Sequence, residues 1–150
     1  SPLMRNEASD AGAVVDYRDW HVPLGRRFRA LKLWFVLRSY GADGLRAYIR
    51  QHLEWANELT GRITADPRLD MVAPTTFGLV SFRHVGGPQR TTALAEAINA
   101  SGWALVTPSV IGDDPFIRVS IGSTWTEHRH VDALWALIDA TAEAANEGAA

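Results

Sequence analysis

Asp16-Tyr17-Arg18-Asp19-Trp20-His21-Val22-Pro23-Leu24-Gly25-Arg26-Arg27-Phe28-Arg29-Ala30-Leu31-Lys32-Leu33-Trp34 sets charges of both signs around a Pro-Leu-Gly turn that opens an apolar helix. From 26 to 39, Phe28, Leu31 and Phe35 are joined by Leu33, Trp34, Val36 and Leu37, more than one helical stripe can hold, so the pattern predicts a helix buried on most sides. A glycine before a helix admits a ligand closely, and the first free N–H groups carry partial positive charge. Leu24-Gly25-Arg26-Arg27 can therefore take a phosphate. The same residues also read as a plain turn whose Arg26, Arg27 and Arg29 pair with acidic neighbours. Tyr17, Trp20, Phe28, Trp34 and Phe35 alternate with arginines as base-stacking aromatics do, but helical spacing assigns most of them to a core.

Working outward, residues 1–14 show no sustained period and read as a loop. Asp43 suits an N-cap, and Leu45, Ile49, His52, Leu53, Ala56, Leu59 and Ile63 recur at helical spacing up to the Asp66-Pro67 stop. Arg46, Arg50, Glu54, Glu58 and Arg62 line another face of that helix. Strands are expected at 78–84, at Ala104 to Thr107 and around Ile117, Val119 and Ile121, with a further short one at Met71 to Ala73. Thr91 or Thr92 is expected to cap a short helix ending before Gly102, and Thr126 a last helix with Val131, Leu134, Trp135 and Ile138 inward. The order suggests a small antiparallel sheet covered on one side by helices. The Ala-rich tail from Ala140 to Ala150 reads as a fraying end.

At 150 residues with 47% hydrophobic content, the chain can bury about 70% of its unfolded surface in one core. A formal charge of −2 argues against nucleic acid as a partner. No apolar run approaches the roughly 20 residues of a membrane span, so no membrane attachment is expected. Zero cysteines exclude disulfides and thiolate chemistry and fit a cytoplasmic location. Of the 15 basic residues only Lys32 is a lysine, so only one side chain here can form an imine with an aldehyde cofactor. A start at Ser1-Pro2 reads as a processed or cut fragment.

Asp16 to Trp20, Pro23 to Arg29, Leu31 to Phe35 and Tyr40-Gly41 resemble, nearly residue for residue, the group II pyridoxal-phosphate decarboxylases, the family that includes the aromatic L-amino-acid decarboxylases. The likeness continues through Gly44-Leu45, Tyr48-Ile49-Arg50, Asp66-Pro67-Arg68, Gly78-Leu79-Val80, Phe82-Arg83, Arg118 and His130-Val131, and so covers essentially the whole chain. It implies an α/β fold of the aspartate-aminotransferase type (fold type I), of which this chain is the C-terminal α+β portion. Residues 1–15 are then the remnant of a mobile active-site loop, 16–42 the end of the large cofactor domain with a linking helix, and 43–150 the small C-terminal domain.

The resemblance further implies a homodimer in which the Pro-Leu-Gly loop crosses to the partner subunit, so that Leu24 and Gly25 become cofactor-binding residues supplied in trans. A glycine at position 25 leaves room for a bulky ring and favours an aromatic amino acid as substrate. Lys32 matches a family lysine that is not the imine-forming one; that lysine belongs to an Asn-x-His-Lys segment upstream of this chain. Catalytic residues are therefore expected outside it, and the chain alone is expected to be inactive, needing the N-terminal portion of the enzyme and bound pyridoxal 5'-phosphate. The family's loop tyrosine, which returns a proton after carbon dioxide leaves, falls at Leu3, and leucine cannot donate a proton. That departure is compatible with an aldehyde-forming variant. A reading of another class is a stand-alone, non-catalytic binding or dimerisation module.

The other candidates read as structure. His128 and His130, two apart on a helix, point to different sides and cannot share a metal ion there. His21 reads as a packed or exposed loop histidine. Asp113-Asp114-Pro115 and His84-Val85-Gly86-Gly87-Pro88 read as turns. No Gly-x-Ser-x-Gly, Walker or dinucleotide signature is present.

Overall fold

The computed structural model describes residues 28–147, in the order α1 (Ala30–Ala65), β1 (Leu69–Met71), β2 (Leu79–His84), α2 (Pro88–Ala100), β3 (Thr107–Ile111), β4 (Asp114–Ser120) and α3 (His128–Glu147). The chain divides into two units, residues 1–42 and 43–150. Gly41, at φ 67° and ψ 168°, breaks the helical dihedrals of α1 in a conformation that glycine adopts without steric cost.

In the first unit, the helical residues from Ala30 to Tyr40 are exposed all round, which corrects the expectation of burial. Phe28 is 74% exposed and Trp34 53%. The physical reason is plain: a helix apolar on every side needs cover on every side, and the described residues supply none. Trp34 meets Phe35 edge to face at 5.1 Å, and the Arg38 guanidinium lies 6.0 Å from the Trp34 ring centre.

In the second unit, α1 buries His52, Ala56, Leu59 and Ile63 of the stripe read from the sequence, and Trp55, which that stripe did not include, while Leu45 and Leu53 are half-buried and Ile49 stays exposed. The sheet is antiparallel throughout, in the order β1-β2-β4-β3. Val80 pairs with Val119 and Phe82 with Ile117, so their side chains share the face on which Leu59, Ile63, Leu94, Ile98, Val131 and Ile138 close the core. The other face carries Leu79, Ser81 and Arg118. This is the helix-covered antiparallel sheet that the patterning predicts.

The β3–β4 connection is the two-residue turn Gly112-Asp113, with Gly112 at φ 63°. Counted from that turn, the ladder alternation points Pro108 outward along the free edge of β3, where its missing N–H blunts the edge. Pro115 faces β2 by the same count and cannot donate to it. The β2–β4 register accordingly stops at Phe82 and Ile117, and the His84 N–H goes instead to Thr91 Oγ1 at 3.1 Å.

Several boundaries differ from the sequence reading. Strand β3 begins at Thr107 rather than at Ala104, because the Asn99 side chain occupies both backbone groups of Val106. Strand β1 is Leu69–Met71, earlier than expected. Helix α2 starts at Pro88 after Gly87, with no side-chain cap; Thr91 lies inside it, buried, and its hydroxyl donates to the Gly87 carbonyl at 3.1 Å. Helix α3 is opened not by Thr126 but by Glu127, whose carbonyl accepts from the His130 N–H and whose own N–H donates to His130 Nδ1 at 3.1 Å.

Candidate functional site

Leu24 and Gly25, assigned to the cofactor, lie outside the described residues, as do Leu3, His21, Arg26 and Arg27. Lys32 is described, and it is exposed on α1 between Leu31 and Leu33 with Trp34 and Phe35 following. A covalent cofactor lysine needs a shielding pocket and polar groups for the cofactor's phosphate and ring nitrogen. Lys32, with exposed apolar neighbours along its helix, has no such surroundings among the described residues.

The open face of the sheet forms a shallow hollow of about 510 Å³, lined by Val72, Leu79, Ile111 and Phe116 among others, with Ser81 and Ser109. Arg118 is the one charged residue lining it. It projects from the central strand β4, in register with Ser81 of β2 and Thr107 of β3. A guanidinium set among hydroxyls and apolar chains suits a covering surface with an anionic group.

A second hollow, about 290 Å³, opens beside the start of α2 between Asp70, Arg83 and Asp114. Arg83 Nη2 holds Asp70 Oδ2 at 2.9 Å, and Asp114 stands off at 3.9 Å. The buried His84 borders this hollow, with Nδ1 accepting from the Gly86 N–H at 2.9 Å. Burial, helped by the positive charges of Arg90 and Arg68, pushes its pKa below the ordinary imidazole value. A neutral ring that fixes the turn after β2 accounts for His84.

Two ionic clusters join α1 and its end to α3. Arg68 forks Asp66 through Nε at 2.9 Å and Nη2 at 2.6 Å, and reaches the Asp139 carboxylate as well. The Arg68 hydrogen bonds hold Asp66 below the usual carboxylate range, and Asp66 with Asp139 holds Arg68 firmly protonated. In the other cluster Glu58 and Arg62 of α1 meet His128 and Asp132 of α3. His130 is turned away to Glu127, so the two histidines do diverge, and among the described residues no His, Asp and Glu group suits a metal ion. The sequence offered Glu58 and Arg62 as members of a charged helix face, but nothing in it joined them to His128, 70 positions away from Glu58. Each of these clusters fastens one element of the protein to another.

Comparison with known proteins gives that protein a family. The profile described as "Pyridoxal-dependent decarboxylase conserved domain" matches residues 3–85. Tryptophan decarboxylase 2 of Oryza sativa subsp. japonica is 42% identical over 143 residues, covering 91% of this chain and 29% of the relative. Phenylacetaldehyde synthase of Arabidopsis thaliana is 41% identical, with the same two coverages. The crystal structure of Oryza sativa TDC with PLP and tryptamine superposes with a TM-score of 0.77 at 35% identity, covering 95% of this chain and 31% of that one. The chain thus spans less than a third of the length of the relatives it matches.

Proposed function

Since the chain belongs to the pyridoxal-dependent decarboxylase family, we propose that it is the C-terminal portion of an enzyme that converts an aromatic L-amino acid to its amine and carbon dioxide. The observation that carries the reading is identity of 42% along 91% of the chain to a tryptophan decarboxylase. In this reading residues 16–42 end the large domain and 43–150 form the small one. Leu24 and Gly25 reach the cofactor pocket of the partner subunit in a homodimer, and Gly25 leaves space for a ring-bearing side chain. The pyridoxal phosphate supplies the electron-accepting ring, and its lysine lies upstream of Ser1, so this chain by itself has no activity. The exposed apolar helix from Ala30 to Tyr40 and the open sheet face are the surfaces that the rest of the enzyme covers.

Co-expressing the chain with an upstream portion that carries the imine-forming lysine tests this. The complex is expected to show the visible absorbance of bound cofactor and to release carbon dioxide from tryptophan, tyrosine or dopa. A pure complex without cofactor absorbance and without product would refute it.

A second reading is favoured by Leu3 and by the 41% identity to a phenylacetaldehyde synthase: an aldehyde-forming variant of the same enzyme. Product analysis separates the two, since that variant, with dioxygen as its two-electron oxidant, yields aldehyde, ammonia and hydrogen peroxide beside carbon dioxide in place of amine. A stand-alone module, by contrast, predicts that the isolated chain elutes as one sharp species.

A further inference from the structure

His128 is the first residue of α3, half exposed, and both of its ring nitrogens face carboxylates. Nε2 lies 2.7 Å from Glu58 Oε2 on α1, and Nδ1 lies 3.0 Å from Asp132 Oδ2, one turn further along α3. Arg62, also on α1, holds the other Asp132 oxygen through Nη2 at 2.6 Å. The Trp55 ring stands edge-on to the imidazole at 6.1 Å and walls it toward the core.

A neutral imidazole has one N–H and one lone pair. Between two carboxylates it makes one hydrogen bond and turns its lone pair on the other anion. The imidazolium donates to both. From this geometry we propose that His128 is a pH-operated clasp: protonated, it holds the first turn of α3 on α1 through Glu58 and Asp132, and deprotonated, it lets that turn go.

Three features work against a cation here: partial desolvation, the nearby Arg62 and the partial positive charge of the helix start. The Glu58 hydrogen bond, followed by the charges of Asp132 and Glu58, outweighs them and raises the His128 pKa above its ordinary 6.5. The sign follows from linkage. A raised folded-state pKa gives a contribution that is complete below the ordinary value and lost as pH climbs through the raised one. Arg62 keeps Asp132 tied to α1 after the proton leaves, so the release is confined to the start of the helix. The segment that feeds that start is held separately, by the Tyr48 hydroxyl donating to the Ser123 carbonyl at 2.8 Å.

The test is a histidine titration of the full chain by NMR, with His128 assigned through a His128→Gln variant. It is run beside hydrogen exchange at the amides of Asp132, Ala133 and Leu134, which close the first turns of α3. His128 is expected to titrate above the ordinary imidazole value and to fall back toward it in Glu58→Gln. Exchange, corrected for its intrinsic pH dependence, is expected to lose protection across the same interval and to lose that dependence in His128→Gln. An ordinary or lowered titration, no response to Glu58→Gln, or protection that stays constant across the titration would each overturn the clasp.

Discussion

Asn99 and Val106 form a reciprocal pair: the Val106 carbonyl accepts from Asn99 Nδ2 at 3.0 Å, and the Val106 N–H donates to Asn99 Oδ1 at 2.7 Å. The amide of one helical side chain thus does for Val106 what a neighbouring strand would do. Asn99→Ala leaves both backbone groups unpaired beside a buried Val106 side chain, and should cost about 1–3 kcal/mol. Urea denaturation of the two proteins measures it. Asn99→Asp keeps the acceptor and loses the donor, so it should fall between them.

The turn before β2 holds a non-glycine residue, Phe77, at φ 52°, with its ring 78% exposed. Glycine is required at the next position, since a Cβ on Gly78 would lie 2.1 Å from the Ile121 carbonyl oxygen. The tight β2–β4 closure, with the Ile121 N–H donating to the Gly78 carbonyl at 2.7 Å, therefore leaves the left-handed position to phenylalanine. Phe77→Asn should raise stability by about 0.5–1 kcal/mol, because asparagine tolerates this region better. Gly78→Ala should lower it by several times that amount. Thermal melts of both variants decide the matter.

Phe82 is fully buried at the centre of the sheet's covered face. Truncation to alanine should cost about 3–5 kcal/mol, a large fraction of the stability of a unit this size. Phe35→Ala, on the exposed helix, should cost little by the same denaturation assay.

Acid should weaken the tie between Asp66 and Arg68. Asp66 is held below its ordinary 3.8, so its contribution is complete above that value and is lost as pH falls through the lowered one. Denaturation midpoints measured from pH 7 downward should drop on the acid side, and Asp66→Asn should flatten that limb while lowering stability at neutral pH.

If the exposed helix is a docking surface, the isolated chain should self-associate through it. Replacing Leu33, Trp34 and Phe35 with glutamate should convert a broad, concentration-dependent elution into a single narrow species without changing the melting of residues 43–150. An already monodisperse wild-type chain would count against that role.

Much of the small sheet was legible beforehand because alternation and helical stripes are local. Ile117 and Val119 announce a common face by spacing alone, and His52, Ala56, Leu59 and Ile63 announce theirs. What escaped is set by partners far along the chain. Val106 is held by Asn99 rather than by a strand, Thr91 is drawn inside α2 by the end of β2, and His128 finds Glu58 only after the fold brings α3 to α1. The helix from Ala30 to Tyr40 was misjudged for another reason: its composition specifies cover, and the described residues supply none. For the site, Leu24 and Gly25 rest on motif resemblance and lie outside the described residues, whereas Arg118 drew notice only as one match among many until the register placed it at the middle of the open face.

Pro108 has a consequence for how larger assemblies can be built from this chain. With no amide hydrogen at the second residue of the outer strand β3, that rim offers one donor fewer to a recruited backbone. Joining at that rim is thereby tilted toward side-chain contacts, stacked surfaces rather than added rungs. Contacts of that kind stop where matching surfaces run out, whereas a ladder could lengthen without limit.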